Sequence, residues 1–129
     1  MIEAISSRPI FSEPFRIFFV LTAWSAALFP MLMVCYVVND YPFWGSLLDV
    51  LSWHGHEMIF GFSSALLAGF LLTASAHWAE IDKLSGRPLV VLSGLWLLER
   101  ILLFTPIPPL LALLGQHFFF PFFLFLVWK

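Results

Sequence analysis

From Ile17 to Val38 the chain has no charged residue, and three further apolar runs follow, near residues 54–78, 88–104 and 110–128. Only short polar interruptions break them: His54-Gly55-His56-Glu57 at the start of the second run, Glu99-Arg100 late in the third, and Gln116-His117 in the fourth. A bilayer-crossing helix needs about 20 predominantly apolar residues. The pattern therefore predicts an all-α, polytopic transmembrane helical bundle of about four spans, with residues 1–129 forming one domain. The first run is longer than the apolar core of a secretory signal and is followed by more spans, so it reads as a retained helix, with Pro30 as a kink.

The connections carry their own signals. Asn39-Asp40-Tyr41-Pro42 is a turn, and Leu47, Leu48, Val50 and Leu51 form an amphipathic stretch suited to the membrane interface. Pro88 stands at a helix start, where its missing N–H does no harm, and Pro106 to Pro109 form a tight break. Basic residues outside the runs are Arg8 and Arg16, then Lys83 and Arg87, then Lys129; the other two loops have none. Because cytoplasmic loops carry the excess of Lys and Arg, a chain crossing four times has both termini in the cytoplasm.

Composition narrows the class. At 61% hydrophobic and 11% charged, the chain falls outside the range of about 45–50% apolar and about 25% charged that soluble domains show, which excludes a water-soluble monomer. A net charge of −2 offers no basic patch for nucleic acid. With Cys35 alone, no intrachain disulfide can form. No glycine-rich nucleotide loop, paired-cysteine motif or nucleophile elbow is present.

The few polar groups within the runs are the costly ones, and ionisable side chains in spans are functional candidates by default. In the four-span topology, His54, His56 and Glu57 open the second helix at the outer side, where the third helix brings Glu99 and Arg100. His117 lies about 12 Å below the start of the last helix. On an α-helical wheel His54 and Glu57 are about 60° apart and share a face with Gly61, Ala65 and Gly69, while His56 lies about 160° from His54. The two imidazoles then serve different partners, unless Gly55 loosens the helix start and lets them converge.

Plainer readings stand beside these. The His54/His56/Glu57 group is also a polar helix start favoured by the helix dipole, and Arg100 also snorkels to the interface over Trp96. His117 suits an interhelical hydrogen bond. His77, Trp78 and Glu80 read as an interface anchor, Trp44, Trp53, Trp78 and Trp128 as aromatic belts, and Asp40 and Asp49 as loop acids. The residue types leave haem ligation, copper binding and proton relay open.

Four stretches in order carry a resemblance: Pro14-Phe15-Arg16-Ile17-Phe18-Phe19, then Trp53-His54-Gly55-His56-Glu57-Met58-Ile59-Phe60-Gly61-Phe62, then Ala68-Gly69-Phe70-Leu71-Leu72-Thr73-Ala74, and Leu95-Trp96-Leu97-Leu98-Glu99-Arg100. Together they resemble the NnrS family over residues 14–104, fading after Thr105. Members are longer and have more spans, so the resemblance is to their N-terminal third. His77 and Glu99 stand where the family often has Asn and a small residue.

The resemblance implies a bacterial inner-membrane protein that contains haem and copper and is linked to nitric oxide metabolism and nitrosative-stress resistance. His54 and His56 would be its metal or haem ligands, with Glu57 orienting an imidazole or accepting a proton and Arg100 pairing with Glu57 or a haem propionate. The expected surroundings are the lipid bilayer and a homo-oligomer or further membrane subunits. Two other functions fit the residues: a non-catalytic assembly subunit packing through the Gly61/Ala65/Gly69 face, and a small oligomeric transporter using Glu57 and Arg100.

Overall fold

The computed structural model describes residues 2–39, 49–103 and 118–128. Asp40, Trp44, Leu47 and Leu48, the Pro106–Pro109 break, Gln116, His117 and Lys129 lie outside them. Among the described residues every element is helical. A short α1 (Ile2–Ser6) and a 3-10 turn (Pro9–Phe11) lead into α2 (Pro14–Asn39). The long α3 (Val50–Trp78) follows, then α4 (Arg87–Leu103) and α5 (Phe119–Trp128). Both α2, with 26 residues, and α3, with 29, are long and apolar enough to cross a membrane.

Local chemistry sets the helix boundaries. The start of α3 is Val50 rather than His54, because the Asp49 carboxylate accepts from the Leu51 and Ser52 amides at 3.0 Å and from the Ser52 hydroxyl at 2.6 Å. Asp49 is thus a helix cap and not an ordinary loop acid, and its hydrogen bonds, the Ser52 hydroxyl first, hold its carboxyl below the usual range. Val50 and Leu51 belong to the first turn of α3 rather than to a separate interfacial stretch. Before α4 the chain turns through Gly86 at φ 70°, a left-handed conformation that side chains disfavour. The Gly86 amide donates to Phe11 O at 2.8 Å, Lys83 pairs with Glu13 at 3.6 Å, and Arg87 pairs with Glu3. These contacts hold the N-terminal segment and the α3–α4 connection at one end of the bundle.

The exterior is strongly apolar, and several polar groups are enclosed in the interior. Trp24, Val34, Val37, Leu67, Phe70, Ile101, Leu124 and Phe125 are exposed, whereas Glu57, Glu99, Arg100, Ser25, Ser64 and Ser93 are buried. An apolar exterior of this extent matches lipid rather than water. The interior hydroxyls bond to their own helix: Thr22 to Phe18 O at 2.7 Å, Ser25 to Leu21 O at 2.8 Å and Ser93 to Leu89 O at 2.8 Å. The apolar core joins Phe18 and Leu21 of α2, Ala65, Ala68 and Leu72 of α3, Leu89, Leu92 and Trp96 of α4, and Phe119 and Phe123 of α5. Trp53 is fully buried, edge-on to Phe29 at 5.8 Å between ring centroids, and is therefore not part of an interfacial belt.

The small-residue face of α3 is used within the chain. A side chain at Gly69 would meet Phe18 and Phe19 of α2 at 3.0 Å, and one at Gly61 would meet Phe29 at 2.8 Å. Since lipid tails are as apolar as Leu, helix pairs in a membrane gain from close packing rather than from hydrophobic burial. The glycines permit that approach.

Candidate functional site

The candidate site grows from an irregularity in α3. Helical bonding is α-type over Val50–His56 and Ser64–Trp78, but Glu57–Ser63 between them forms π-helical turns. Such turns are rare and recur at functional sites. The wider turns aim the Gly61 carbonyl across at α4, where Trp96 Nε1 donates to it at 3.1 Å and also to Ser64 Oγ at 3.1 Å. These two bonds anchor the indole and, with it, the level of Arg100 one turn later.

Arg100 is the hub. Its Nε donates to Glu57 Oε2 at 3.0 Å, and its Nη1 donates to Glu99 Oε2 at 2.7 Å and to Trp96 O at 3.0 Å. Its guanidinium carbon lies 4.6 Å from the centroid of the Trp96 ring. Glu57, Glu99 and Arg100 are 0%, 2% and 6% exposed, so the cluster is out of contact with solvent. Arg100 does lie over Trp96, as the sequence predicts, but it is an internal ion-pair partner and does not snorkel. In so dry a setting the attraction between opposite charges has to offset a large desolvation cost.

The other Glu57 oxygen faces an imidazole. Oε1 lies 3.4 Å from His56 Nδ1, a long contact, and the His56 ring lies against Phe60 with centroids 4.8 Å apart. The wheel places His54 closer than His56 to the Glu57 face; the structure pairs Glu57 with His56 instead. Glu57 opens the π turns, where each residue rotates less about the axis than the wheel assumes, and its flexible side chain reaches back. Gly55 does not bring the imidazoles together: the helix stays α-type through His56. His54 is half-buried, and its Nδ1 has no hydrogen-bond partner among the described residues.

The result is a chain of contacts, Glu99–Arg100–Glu57–His56, linking α4 to the N-terminal part of α3. Of the four residues singled out from sequence, His56, Glu57 and Arg100 meet and His54 stands apart. Glu99, which the sequence brings to the same depth but to which it assigns no role, is the further participant. Its signal was its position beside Arg100 in an otherwise uncharged run. His77 lies exposed at the other end of α3.

For a metal or haem, the donor chemistry is partial. Among the described residues no group of three or more His, Cys, Asp and Glu side chains could hold a metal ion. A copper centre would need donors from elsewhere, whereas a haem iron could be held by a single imidazole. His56 fits that role, because a carboxylate on one ring nitrogen is the usual device for orienting the other toward a metal.

No curated protein and no solved structure matches the chain. The family described as NnrS protein matches residues 9–129, running past Thr105, where the motif resemblance fades, and including α5. On that match the chain belongs to the NnrS family.

Proposed function

We propose that this chain is a haem- and copper-binding membrane protein of the bacterial inner membrane, serving nitric oxide metabolism or resistance to nitrosative stress. The observation that carries the reading is the His56–Glu57–Arg100 chain, an imidazole backed by a buried carboxylate that is itself fixed by a guanidinium. His56 would hold the metal by its imidazole. Glu57 sets the ring orientation and offers an acceptor for the Nδ1 proton. Arg100 holds the Glu57 carboxylate in place through the Nε contact. His54, whose Nδ1 has no hydrogen-bond partner among the described residues, is the second donor and serves a different partner. A haem or copper held there would supply the redox-active metal chemistry that imidazole and carboxylate lack.

In this reading both termini face the cytoplasm, the helices cross several times, and the bilayer and further membrane subunits or a second copy complete the assembly. The alternative of an assembly subunit built on the Gly61/Ala65/Gly69 face is less well supported, since α2 already covers Gly61 and Gly69.

The test is direct. Protein expressed with haem and copper supplied should purify with haem absorbance or stoichiometric copper. His56→Ala should remove the signal that depends on the oriented imidazole, and His54→Ala should lower metal content separately. Wild-type protein carrying neither haem nor copper overturns the proposal.

A further inference from the structure

The π turns at Glu57–Ser63 lie between two α segments of the same helix. A π turn bonds across five residues where an α turn bonds across four, so the segment acts as one residue inserted into an α-helix, a rotation of about 100°. The buried residues of α3 show what that rotation does. Trp53 and Leu72, and likewise Glu57 and Ala76, are 19 residues apart, which is about 100° on an unbroken α-helix, yet all four are buried. Taking up one residue leaves 18, about five full turns, and brings each pair into line. The insertion therefore turns Trp53 and Glu57 onto the buried side set by the rest of α3, and it fixes the rotation of His56 beside them.

An insertion interrupts the α ladder, and three backbone carbonyls at this place receive bonds from side chains. Ser63 Oγ donates to Met58 O at 2.8 Å, and Ser64 Oγ donates to Phe60 O and to Gly61 O. Trp96 Nε1 donates to Gly61 O and to Ser64 Oγ, each at 3.1 Å. The two serines belong to α3 and move with it, whereas Trp96, 3% exposed on α4, ties the π turns to a different helix. The same residue carries Arg100: its carbonyl accepts from Arg100 Nη1 at 3.0 Å, and its ring lies against the guanidinium. We propose that Trp96 is a positioning residue, whose indole N–H holds the inserted residue in place and so keeps Glu57 turned toward Arg100 and His56. The register rests on α3 and α4 alone; its consequence for haem or copper rests on the metal reading of His56.

Trp96→Phe removes the N–H but keeps a ring beside Arg100 and the backbone carbonyl. In metal-free protein in nanodiscs, amide hydrogen exchange over residues 57–63 should quicken about tenfold, equivalent to about 1.4 kcal/mol, with residues 65–76 unchanged. Affinity of the same variant for the haem or copper that His56 holds should fall at least about tenfold. Deleting Ile59, which is 62% exposed, makes α3 a continuous α-helix with Trp53 and Leu72, and Glu57 and Ala76, still in line. The deleted chain should fold, keep its affinity, and accept Trp96→Phe without the loss, a rescue that an indole serving only as packing would not show. Unchanged exchange at 57–63 in Trp96→Phe overturns the proposal, and so does faster exchange spread evenly along α3. A loss of affinity that persists when Ile59 is deleted overturns it as well. Wild-type protein that binds neither haem nor copper refutes the metal reading, and the exchange measurement still decides the register.

Discussion

Replacing Arg100 with Leu should destabilise the bundle by about 3–5 kcal/mol, the cost of leaving buried charge without its partner. Two carboxylates, Glu57 and Glu99, depend on this guanidinium, and neither is exposed to solvent that could take its place. The thermal midpoint of the protein in detergent or nanodiscs is the readout. Arg100→Lys should recover only part of the loss, since a single ammonium cannot reproduce the separate Nε and Nη1 contacts or lie flat over Trp96. The loss should be electrostatic in origin. Adding Glu57→Gln and Glu99→Gln to Arg100→Leu removes the uncompensated charges and should restore most of the stability. An unchanged midpoint in Arg100→Leu would mean that water reaches the cluster and that the packed interior is wrong.

The second large effect is expected at Gly61. A methyl group there would lie 2.5 Å from Glu57 Oε2 and 2.8 Å from Phe29. Glu57 cannot yield without leaving Arg100, and Phe29 is packed against Trp53. Gly61→Ala should therefore cost about 1–3 kcal/mol, as overpacking does. Gly55, six residues earlier in the same helix, has nothing within 4 Å of its would-be Cβ. There the same change should be neutral or stabilising by about 0.4–1 kcal/mol, through the unfolded chain. The opposite signs, read by thermal midpoint under one set of conditions, separate close packing at the site from a general intolerance of α3 to substitution. Equal effects at the two positions would remove Gly61 from the site.

The helices were legible because charge is so sparse. The first two runs, 17–38 and 54–78, lie inside α2 and α3, and the third, 88–104, follows α4 to within a residue at each end. The start of α3 was not legible, because Asp49 becomes a cap only once its carboxylate turns back onto Leu51 and Ser52. Trp53 reads as a belt residue by composition, but tertiary packing against Phe29 buries it.

At the site, the motif located the chemistry without its geometry. A wheel with constant α spacing cannot foresee the π turns at Glu57–Ser63, and so it linked Glu57 with His54 rather than with His56. One dimension puts Glu99 at the depth of Arg100 but does not show that both are buried. Burial is a property of the surrounding helices, among them α5, whose Phe119 backbone approaches the Glu99 carboxyl.

The measurement closest to the central claim is the affinity of Glu57→Gln for haem and for copper. Arg100 keeps Glu99 as a counter-ion in this variant, and His56 is unchanged, so the fold and the ligand both persist while the orienting carboxylate is lost. If Glu57 aims the His56 imidazole at a metal, affinity for the group that His56 holds should fall about 10–100-fold, the usual effect of removing a partner of a metal-binding imidazole. Wild-type affinity for both haem and copper in Glu57→Gln would contradict the account.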